Sequence, residues 1–331
     1  MAARLNPPRP RPELVDLRRL TARTLEALLE EETAEWLHEI DWDFGRSADL
    51  VRRYVDLHAL GGSALLKDGE AIAYIYYVLE DHKGLVGDLY VRRGHRGRQY
   101  EDLLLSSALS AIREHAQLDR VEAQLLMLDY APRRTLPFAS DAAAYDRNFM
   151  RAELAAADVR EGHVRVPVFI ERWNDAYHEQ AAQAIAEAYS GHVDSRVNDQ
   201  YRSVAGARRF LFNIVQLPGC GTFFGAASYA AFDALTSRLC GISLASLVAP
   251  GFGHITQICV SPAVRGKGVG HELLRHSLMS LKEAGCRGVS LTVTSANEDA
   301  VALYERVGFR TIRRFSAYAW EWPAPAGQPA T

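Results

Sequence analysis

An internal repeat constrains this chain more than any other feature of its sequence. Residues 85–109 and 254–278 align without a gap at a constant offset of 169 residues. In each segment a β-like run is followed by a basic loop that contains glycine, and then by an amphipathic helical pattern. A chance match would not keep the two-residue period and the 3.6-residue period in register. The repeat therefore predicts two copies of one unit built from strands and helices.

The length of the chain agrees with two domains. A chain of 331 residues divides most simply into two units of ordinary size. We place the first copy at residues 13–160 and the second at residues 161–323, with disordered tails at 1–12 and 324–331. Strand-like and helix-like runs alternate in both copies, which predicts the α/β class with a mixed sheet.

Composition narrows the possible function classes. The formal net charge of −3 gives no sign of the basic face that nucleic-acid-binding proteins carry. None of the four cysteines forms the C-x-x-C pair that is typical of many zinc sites. No apolar run reaches the length of a membrane span. We therefore expect a reduced, cytoplasmic protein that uses no metal and binds neither nucleic acid nor membranes.

The second copy contains a glycine-rich step from strand to helix. Its loop, residues 265–270, reads RGKGVG. Glycine lets a ligand approach the backbone closely, and the first amides of a helix point toward one spot where an anion is stabilised. Arg265 and Lys267 add positive charge, so the loop suits a pyrophosphate. The alternative is a turn with solvated basic side chains. The residue order matches neither a nucleotide P-loop nor a Rossmann fingerprint.

Two motifs of the second copy together resemble the GNAT acetyltransferase superfamily. Residues 265–270 match the R/Q-x-x-G-x-G/A loop of that superfamily, and residues 297–309 match its N-x-x-A-x-x-L-Y-x-x-x-G-F segment. Both motifs stand in the right order on the right kinds of element. The resemblance implies two tandem GNAT domains, each a mixed, mainly antiparallel sheet flanked by helices. This arrangement is similar to that of the mycothiol synthase family.

The resemblance also implies a site for acetyl-CoA as the co-substrate. The loop amides and His271 would hold the pyrophosphate, Asn297 would approach the coenzyme, and the strand edge before the loop would pair with the pantetheine arm. We expect Cys259 to be a small buried strand residue and give a role to its backbone alone. The predicted coenzyme-binding residues are Ile258, Cys259, Val260, Arg265, Gly266, Lys267, Gly268, Val269, Gly270, His271 and Asn297.

The same resemblance points to two catalytic candidates, Tyr304 and His254. Tyr304 would protonate the departing thiolate; otherwise it is a packed aromatic residue. His254 stands where many members carry a glutamate, and the ordinary pKa of histidine suits proton transfer at neutral pH. The alternatives are a solvated histidine at a strand end and a base that acts through water. Strand alternation predicts that one face carries His254, Thr256, Ile258 and Val260.

The acceptor is predicted to be a primary amine on a small molecule or a peptide, bound by the segment that precedes the sheet. Residues 192–216 read as one helix whose beginning is rich in polar groups. Asp194 would attract an ammonium group, and Tyr201, seven residues later, would share its helix face. The alternative is a solvated helical surface.

The first copy lacks these features. Gln99 and Glu101 replace two of the loop glycines, so a carboxylate stands where a pyrophosphate would rest. Leu85 replaces the candidate base, and no segment like 297–309 follows Leu128. We therefore predict direct acetyl transfer to an amine in the second copy and a catalytically silent first copy. The alternatives are transfer of another acyl or aminoacyl group, and a non-enzymatic acyl-CoA sensor.

Overall fold

The computed structural model describes residues 11–217 and 219–322. The two tails predicted as disordered lie outside these residues, apart from Arg11 and Pro12. Within the described part of the chain, no helix combines the length and the apolar character that a membrane span needs. Strands and helices alternate, so the α/β prediction is confirmed.

Both halves contain, in this order, a strand, helices, a three-stranded antiparallel meander, a helix and closing strands, and the second half has in addition a short strand before the meander and a helix between its closing strands. The first half consists of β1 (Glu13–Asp16), α1 (Ala22–Ile40), α2 (Gly45–Asp56), β2 (Gly61–Lys67), β3 (Glu70–Glu80), β4 (Lys83–Val91), α3 (Arg98–Arg113), β5 (Arg120–Gln124) and β6 (Ala142–Glu153). The second half consists of β7 (Val168–Arg172), α4 (His178–Tyr189), α5 (Asp194–Val197), α6 (Val204–Gln216), β8 (Thr222–Phe223), β9 (Tyr229–Asp233), β10 (Leu239–Ala249), β11 (Phe252–Val260), α7 (Val269–Glu283), β12 (Gly288–Thr294), α8 (Glu298–Val307) and β13 (Arg310–Glu321).

The two halves share one sheet because each gives its last strand to the other. The strand order is β1-β2-β3-β4-β5-β13-β6-β12-β11-β10-β9-β7, and the short β8 pairs with β10. Strand β13 thus lies against β5 of the first half, and β6 lies against β12 of the second. The limits 13–160 and 161–323 remain a prediction about the sequence, since the sheet of each half contains a strand from the other.

Strand β6 is the element that the sequence pattern does not predict. Its sequence, AAAYDRNFMRAE, shows no sustained alternation of apolar and polar residues. It pairs with β12 on one side and with β13 on the other, so it is a central strand. The adjacent side chains of Phe149 and Met150 are both fully buried and belong to the cores of different halves. At residues 148–150 both faces of β6 are covered, and a strand covered in this way shows no polar face in its sequence.

Each half contains a parallel strand pair that separates partway along its length. Pairing between β4 and β5 covers residues 83–86 of β4, and pairing between β11 and β12 covers residues 252–255 of β11. Beyond these points the two strands diverge. In the second half this leaves the β12-facing edge of β11 unpaired along Ile258, Cys259 and Val260, immediately before the predicted coenzyme loop.

A bulge at Thr256 changes which face each residue of β11 occupies. Leu244 pairs with Gln257 and Ala245 pairs with Ile255, so Thr256 is the extra residue. Ile255 and Ile258 both pack in the core beneath α7 and α8, although they are three residues apart. The prediction that His254, Thr256, Ile258 and Val260 share one face is therefore wrong, because it assumed unbroken alternation.

The predicted single helix over residues 192–216 is also wrong. The segment forms α5, then a 3-10 turn at Asp199–Arg202, then α6. The Asn198 side chain accepts a hydrogen bond from the backbone of Gln200 at 3.0 Å, and Ser203 caps α6 by accepting one from Gly206 at 3.0 Å. Side chains of this kind compete with the helix for backbone donors and so interrupt it.

Candidate active site

The predicted coenzyme loop leads from β11 into the first turn of α7. Gly266 and Gly268 have φ angles of 70° and 92°, in the left-handed region that favours glycine. Among the described residues, none accepts a hydrogen bond from the amides of Gly268, Val269, Gly270 or His271. These amides lie at the positive end of a 15-residue helix. The arrangement can hold an anionic group.

The two basic side chains of the loop are available to an anion. Arg265 donates to the carbonyl of Ala188 at 2.9 Å, and Lys267 donates to the carbonyl of Ala263 at 2.8 Å. Neither has a carboxylate partner in the part of the chain that the structure describes. Within residues 11–217 and 219–322, no ion pair compensates their positive charge.

The segment that joins the two halves holds the loop in place. Arg165 donates its backbone N–H to the carbonyl of Lys267 at 3.0 Å, and Gly162 donates to the carboxylate of Glu272 at 2.5 Å. A Cβ atom on Gly268 would lie 2.5 Å from the carbonyl oxygen of His163. This close approach, together with the positive φ angle, explains why position 268 requires glycine.

A hydrogen-bonded aromatic group lies at the open end of the cleft between β11 and β12. The Gln257 amide donates to the Tyr189 hydroxyl at 3.0 Å and accepts from the Tyr201 hydroxyl at 3.3 Å. The rings of Tyr189 and Tyr201 are stacked with their centroids 4.3 Å apart. Gln257 thus connects β11, whose edge is the predicted pantetheine site, to Tyr201 in the segment that is predicted to bind the acceptor.

Asp194 brings the acceptor segment next to Tyr304. The Asp194 carboxylate accepts a hydrogen bond from Thr294 at the end of β12, and Arg147 of β6 lies 4.0 Å away. Tyr304 is 7% exposed, and its hydroxyl has no hydrogen-bond partner among the described residues. Burial, and then the negative charge of Asp194, raise the pKa of the Tyr304 phenol above its ordinary value. The phenol is therefore protonated at neutral pH and can donate a proton.

His254 lies at the closed end of the cleft, where β11 and β12 are still paired. Its Nδ1 atom is 2.8 Å from the hydroxyl of Ser290. Trp42 of the first half packs edge-on at 5.0 Å between ring centroids, and Phe149 of β6 stacks at 6.0 Å. Burial lowers the pKa of His254 to about 3, so the ring is neutral at pH 7. His254 is thus a residue of the contact between the halves, not a solvated histidine.

The remaining predicted residues have local partners. Asn297 accepts a hydrogen bond from the Ala300 amide at 3.4 Å and so caps α8. Cys259 is buried, which raises the pKa of its thiol to about 12 and keeps it neutral. Ile258 and Val260 pack against α7 residues. His271 lies in the first turn of α7, with Nδ1 3.3 Å from Glu272.

The structure brings together Tyr304, Asp194, Tyr201 and the edge of β11, whereas His254 lies apart from them. Among the described residues, no hydrogen bond or ring contact connects His254 with Tyr304. Sequence reasoning missed Gln257, Tyr189, Thr294 and Arg147. Gln257 was hidden by the bulge, and Arg147 by the unpredicted strand β6. No group of three or more His, Cys, Asp or Glu side chains that could hold a metal ion is found in the described part of the chain.

The corresponding region of the first half contains a buried ion pair beside its loop. A cavity of about 10 Å³ lies along its strand edge from Leu89 to Val91, and one of about 290 Å³ lies beside its loop at Arg96, Gly97 and Arg98. Arg134, whose side chain is 3% exposed, binds the carboxylates of Glu101 at 2.8 Å and Asp102 at 2.6 Å. These contacts place a carboxylate and its counterion at the position that corresponds to Gly270 of the second half.

Comparison with known protein families agrees with the geometry. The model of the acetyltransferase (GNAT) family matches residues 21–130 and 173–309, which covers both halves. Two mycothiol acetyltransferases are similar in sequence. The one from Propionibacterium freudenreichii subsp. shermanii is 38% identical over 72 residues, covering 22% of this chain and 23% of the relative. The one from Mycobacteroides abscessus is 36% identical over 92 residues, covering 27% and 31%. These matches span less than a third of either relative.

Two solved structures resemble the whole chain. A tandem GNAT protein from the clavulanic acid biosynthesis pathway has a TM-score of 0.63 at 17% identity, covering 96% of this chain and 100% of that one. A GCN5-related N-acetyltransferase from Sphaerobacter thermophilus has a TM-score of 0.65 at 18% identity, covering 95% and 96%. At such identities the likeness shows the fold: a tandem arrangement of two GNAT units.

Proposed function

The chain belongs to the acetyltransferase (GNAT) family and is an acyltransferase, and from this premise we propose that its second half transfers an acetyl group from acetyl-CoA to a primary amine. The row of amides at the start of α7 is the observation that supports this most directly. They have no partner among the described residues, and they lie beside Arg265 and Lys267, whose charges are not compensated. A pyrophosphate is the anion that this arrangement fits.

We propose that the cleft holds the coenzyme along the edge of β11. The amides of Gly268 and Gly270 would bind the pyrophosphate, and the unpaired backbone from Ile258 to Val260 would bind the pantetheine amides as an added strand does. The thioester would then lie near Tyr304. Gly270 leaves room for a ligand, since a Cβ atom there would approach no atom closer than 3.8 Å.

In the proposed reaction the amine nitrogen attacks the thioester carbonyl carbon. The carbon–sulfur bond breaks, the acetyl group stays on the nitrogen, and the electron pair of the broken bond leaves with the sulfur. Tyr304 donates its phenolic proton to that sulfur, and the attacking nitrogen loses one of its two protons to water as the amide forms, after which the phenolate takes a proton back from water. Its position supports this role, because the phenol is buried, protonated and without a hydrogen-bond partner among the described residues.

The amine must first lose a proton, because an alkyl amine with a pKa of about 10 is mostly protonated at pH 7. His254 is neutral and so can accept a proton, but a pKa of about 3 makes it a weak base. It is also enclosed by Trp42 and Phe149. We therefore assign this step to a water at the open end of the cleft, with His254 as the competing candidate.

We propose that Asp194 attracts the ammonium form of the acceptor and that Tyr201 and Tyr189 line its site. Asp194 lies close enough to Tyr304 to raise the pKa of the phenol. The stacked tyrosines present an aromatic surface, which favours an acceptor that carries an apolar or cationic group. The neighbouring Arg147 offsets part of the charge of Asp194, so the site suits a single ammonium group.

Thiol release from acetyl-CoA over a panel of amines tests the proposal. The panel should contain polyamines, aminoglycosides, amino acids and peptides with a free N-terminus, and mass spectrometry should find one acetyl group on the amine that is consumed. Binding of acetyl-CoA without thiol release for any amine would indicate a sensor and overturn the proposal. Faster release from a longer acyl-CoA would replace acetyl with that acyl group.

A further inference from the structure

A buried cluster of charged side chains connects the first half to the acceptor segment of the second half. We call residues 192–202 the acceptor segment and the side chains of Lys83, Arg120, Glu122 and Asp199 the anchor cluster. Lys83 forms ion pairs with Glu122 at 3.1 Å and with Asp199. Arg120 pairs with Glu122 at 2.7 Å. The side chains of all four are between 3% and 8% exposed.

The cluster holds the backbone of the acceptor segment as well as its side chains. The amide of Asp199 donates to the carboxylate of Glu122 at 2.8 Å, and Arg120 donates to the carbonyl of Arg196 at 2.6 Å. Both contacts fall between Asp194 and Tyr201, the two residues that reach the cleft. Burial alone would raise the pKa of Asp199, but the hydrogen bond and charge of Lys83 hold it below its ordinary value.

The basic side chains that the first half gives to the cluster are not a general feature of the repeat. Lys83 and Arg120 are directly opposite each other at the start of the parallel pairing between β4 and β5. The corresponding pair of the second half is Phe252 and Gly288, neither of which is charged. Four charges that lose their hydration cost free energy unless their geometry is well matched, so such a cluster specifies position more than it adds stability.

We propose that Lys83, Arg120 and Glu122 are positioning residues for the amine site of the second half. They fix the turn at Asp199–Arg202, and this places Asp194 against Thr294 and Tyr201 against Gln257. The proposal rests on the proposed function, because it gives the catalytically silent half a task in acceptor binding. It predicts that damage to the cluster raises the KM of the amine and leaves the KM of acetyl-CoA unchanged.

The test compares Lys83→Met with a matched control, Arg134→Met, in the full-length protein. Both cations are 3% exposed and ion-paired in the first half, but Arg134 does not contact the acceptor segment. We expect Lys83→Met to raise the amine KM by about tenfold or more, with the acetyl-CoA KM within twofold of wild type. Arg134→Met should leave both values within twofold. Glu122→Gln, which keeps the side-chain volume, replaces Lys83→Met if that variant does not fold. An unchanged amine KM overturns the proposal.

Hydrogen–deuterium exchange separates this inference from the proposed function, because it needs no substrate. Lys83→Met should speed the exchange of amides in residues 194–202, whereas Arg134→Met should leave them at the wild-type rate. Equal exchange rates in wild type and Lys83→Met would overturn the positioning role even if the enzyme acetylates amines. Faster exchange without thiol release from the wild-type protein would leave the anchor in place and reject the proposed activity.

Discussion

In both halves a bulged strand separates from its parallel neighbour just before a loop and a helix, and the two clefts differ in what fills them. Beside β11 the helix amides have no partner among the described residues, and two basic side chains lie near them without carboxylate partners. Beside β4 the strand edge lines a cavity of about 10 Å³, and the loop that follows lines one of about 290 Å³ where Glu101 pairs with Arg134. There the exchanged strand β13 holds the chain in place, because Arg313 donates to the carbonyls of Leu126 at 2.7 Å and Met127 at 3.0 Å.

The difference shows how the side chains of one repeat unit can pair with each other at the position where the other unit is proposed to bind a ligand. Glu101 lies in the first turn of α3, where a carboxylate is stabilised by the helix dipole. Arg134 then supplies the cation. The first half thus has the carboxylate of Glu101 at the position where we propose that the second half binds the anion of its ligand. We expect one coenzyme site per chain, and each of the following substitutions moves one half toward the other.

Copying the carboxylate of the first half into the second should have the largest effect. We expect Gly270→Glu to weaken acetyl-CoA binding by about 1,000-fold, since like charges 4 Å apart near a protein surface repel by about 4 kcal/mol. Gly270→Ala is the control for shape, and it should bind within a few-fold of wild type because a Cβ atom fits at this position. Calorimetry measures both affinities. A wild-type stoichiometry of two per chain would contradict the assignment of one site.

Removing the hydroxyl of Tyr304 should have the next largest effect. No counterpart of α8 exists in the first half, so this phenol belongs to the second half alone. We expect Tyr304→Phe to lower kcat by about 100-fold, the usual loss when a general acid is removed. Acetyl-CoA affinity should stay within twofold, since the ring remains packed. Steady-state kinetics decide the matter, and an unchanged kcat would remove the acid role.

Leu85 of the first half aligns with His254 of the second, so the substitution His254→Leu copies the first half. This variant tests how the buried imidazole affects stability. The pKa of His254 is about 3 in the folded protein and about 6.5 when unfolded. The unfolded chain therefore binds the extra proton between pH 6.5 and pH 3, and the wild type loses stability as the pH falls through that window. We expect His254→Leu to lessen this loss by about 1.4 kcal/mol per pH unit at most. Urea unfolding at pH 7 and pH 5 measures it.

The same variant tests the base assignment. If water removes the proton from the amine, the pH–rate profile of His254→Leu keeps the wild-type shape. If the variant no longer shows the fall in rate on the acidic side of the profile, His254 is the base.

The smallest expected effect concerns Asp88, which stands where the second half has Gln257. Asp88 and Glu32 are fully buried, and one oxygen of each has no hydrogen-bond partner among the described residues. Burial raises the pKa of both carboxyl groups, and the charge of Asp88 raises that of Glu32 further. Both carboxyl groups therefore lower the free energy of unfolding as the pH rises above the pKa values that they have in the unfolded chain. We expect Asp88→Asn to be more stable than wild type at pH 8, with a smaller difference at pH 5. Thermal unfolding at both pH values checks this.

Local patterns in the sequence were sufficient for much of the fold and for the strand, loop and helix on which the candidate site is predicted. The repeat, the strand before residues 265–270 and the helix after them depend on contacts between near neighbours and on the conformational freedom of glycine. The association of Asp194 with Tyr201 also came from spacing alone, although the two residues do not share one continuous helix. Predictions failed where an interaction between distant segments decided the outcome. Examples are the bulge at Thr256 and the strand β6.

The sequence by itself determined that this chain contains two copies of one α/β unit and that only the second has the glycine-rich loop at residues 265–270. Tertiary structure alone decided that the copies exchange their last strands, that Trp42 and Phe149 pack against His254, and that charged side chains of the first copy contact the acceptor segment. The physical reason is the separation along the chain between the residues that interact. Backbone conformation follows from residues a few positions apart, whereas burial, strand exchange and ion pairing depend on segments more than a hundred residues apart in the chain.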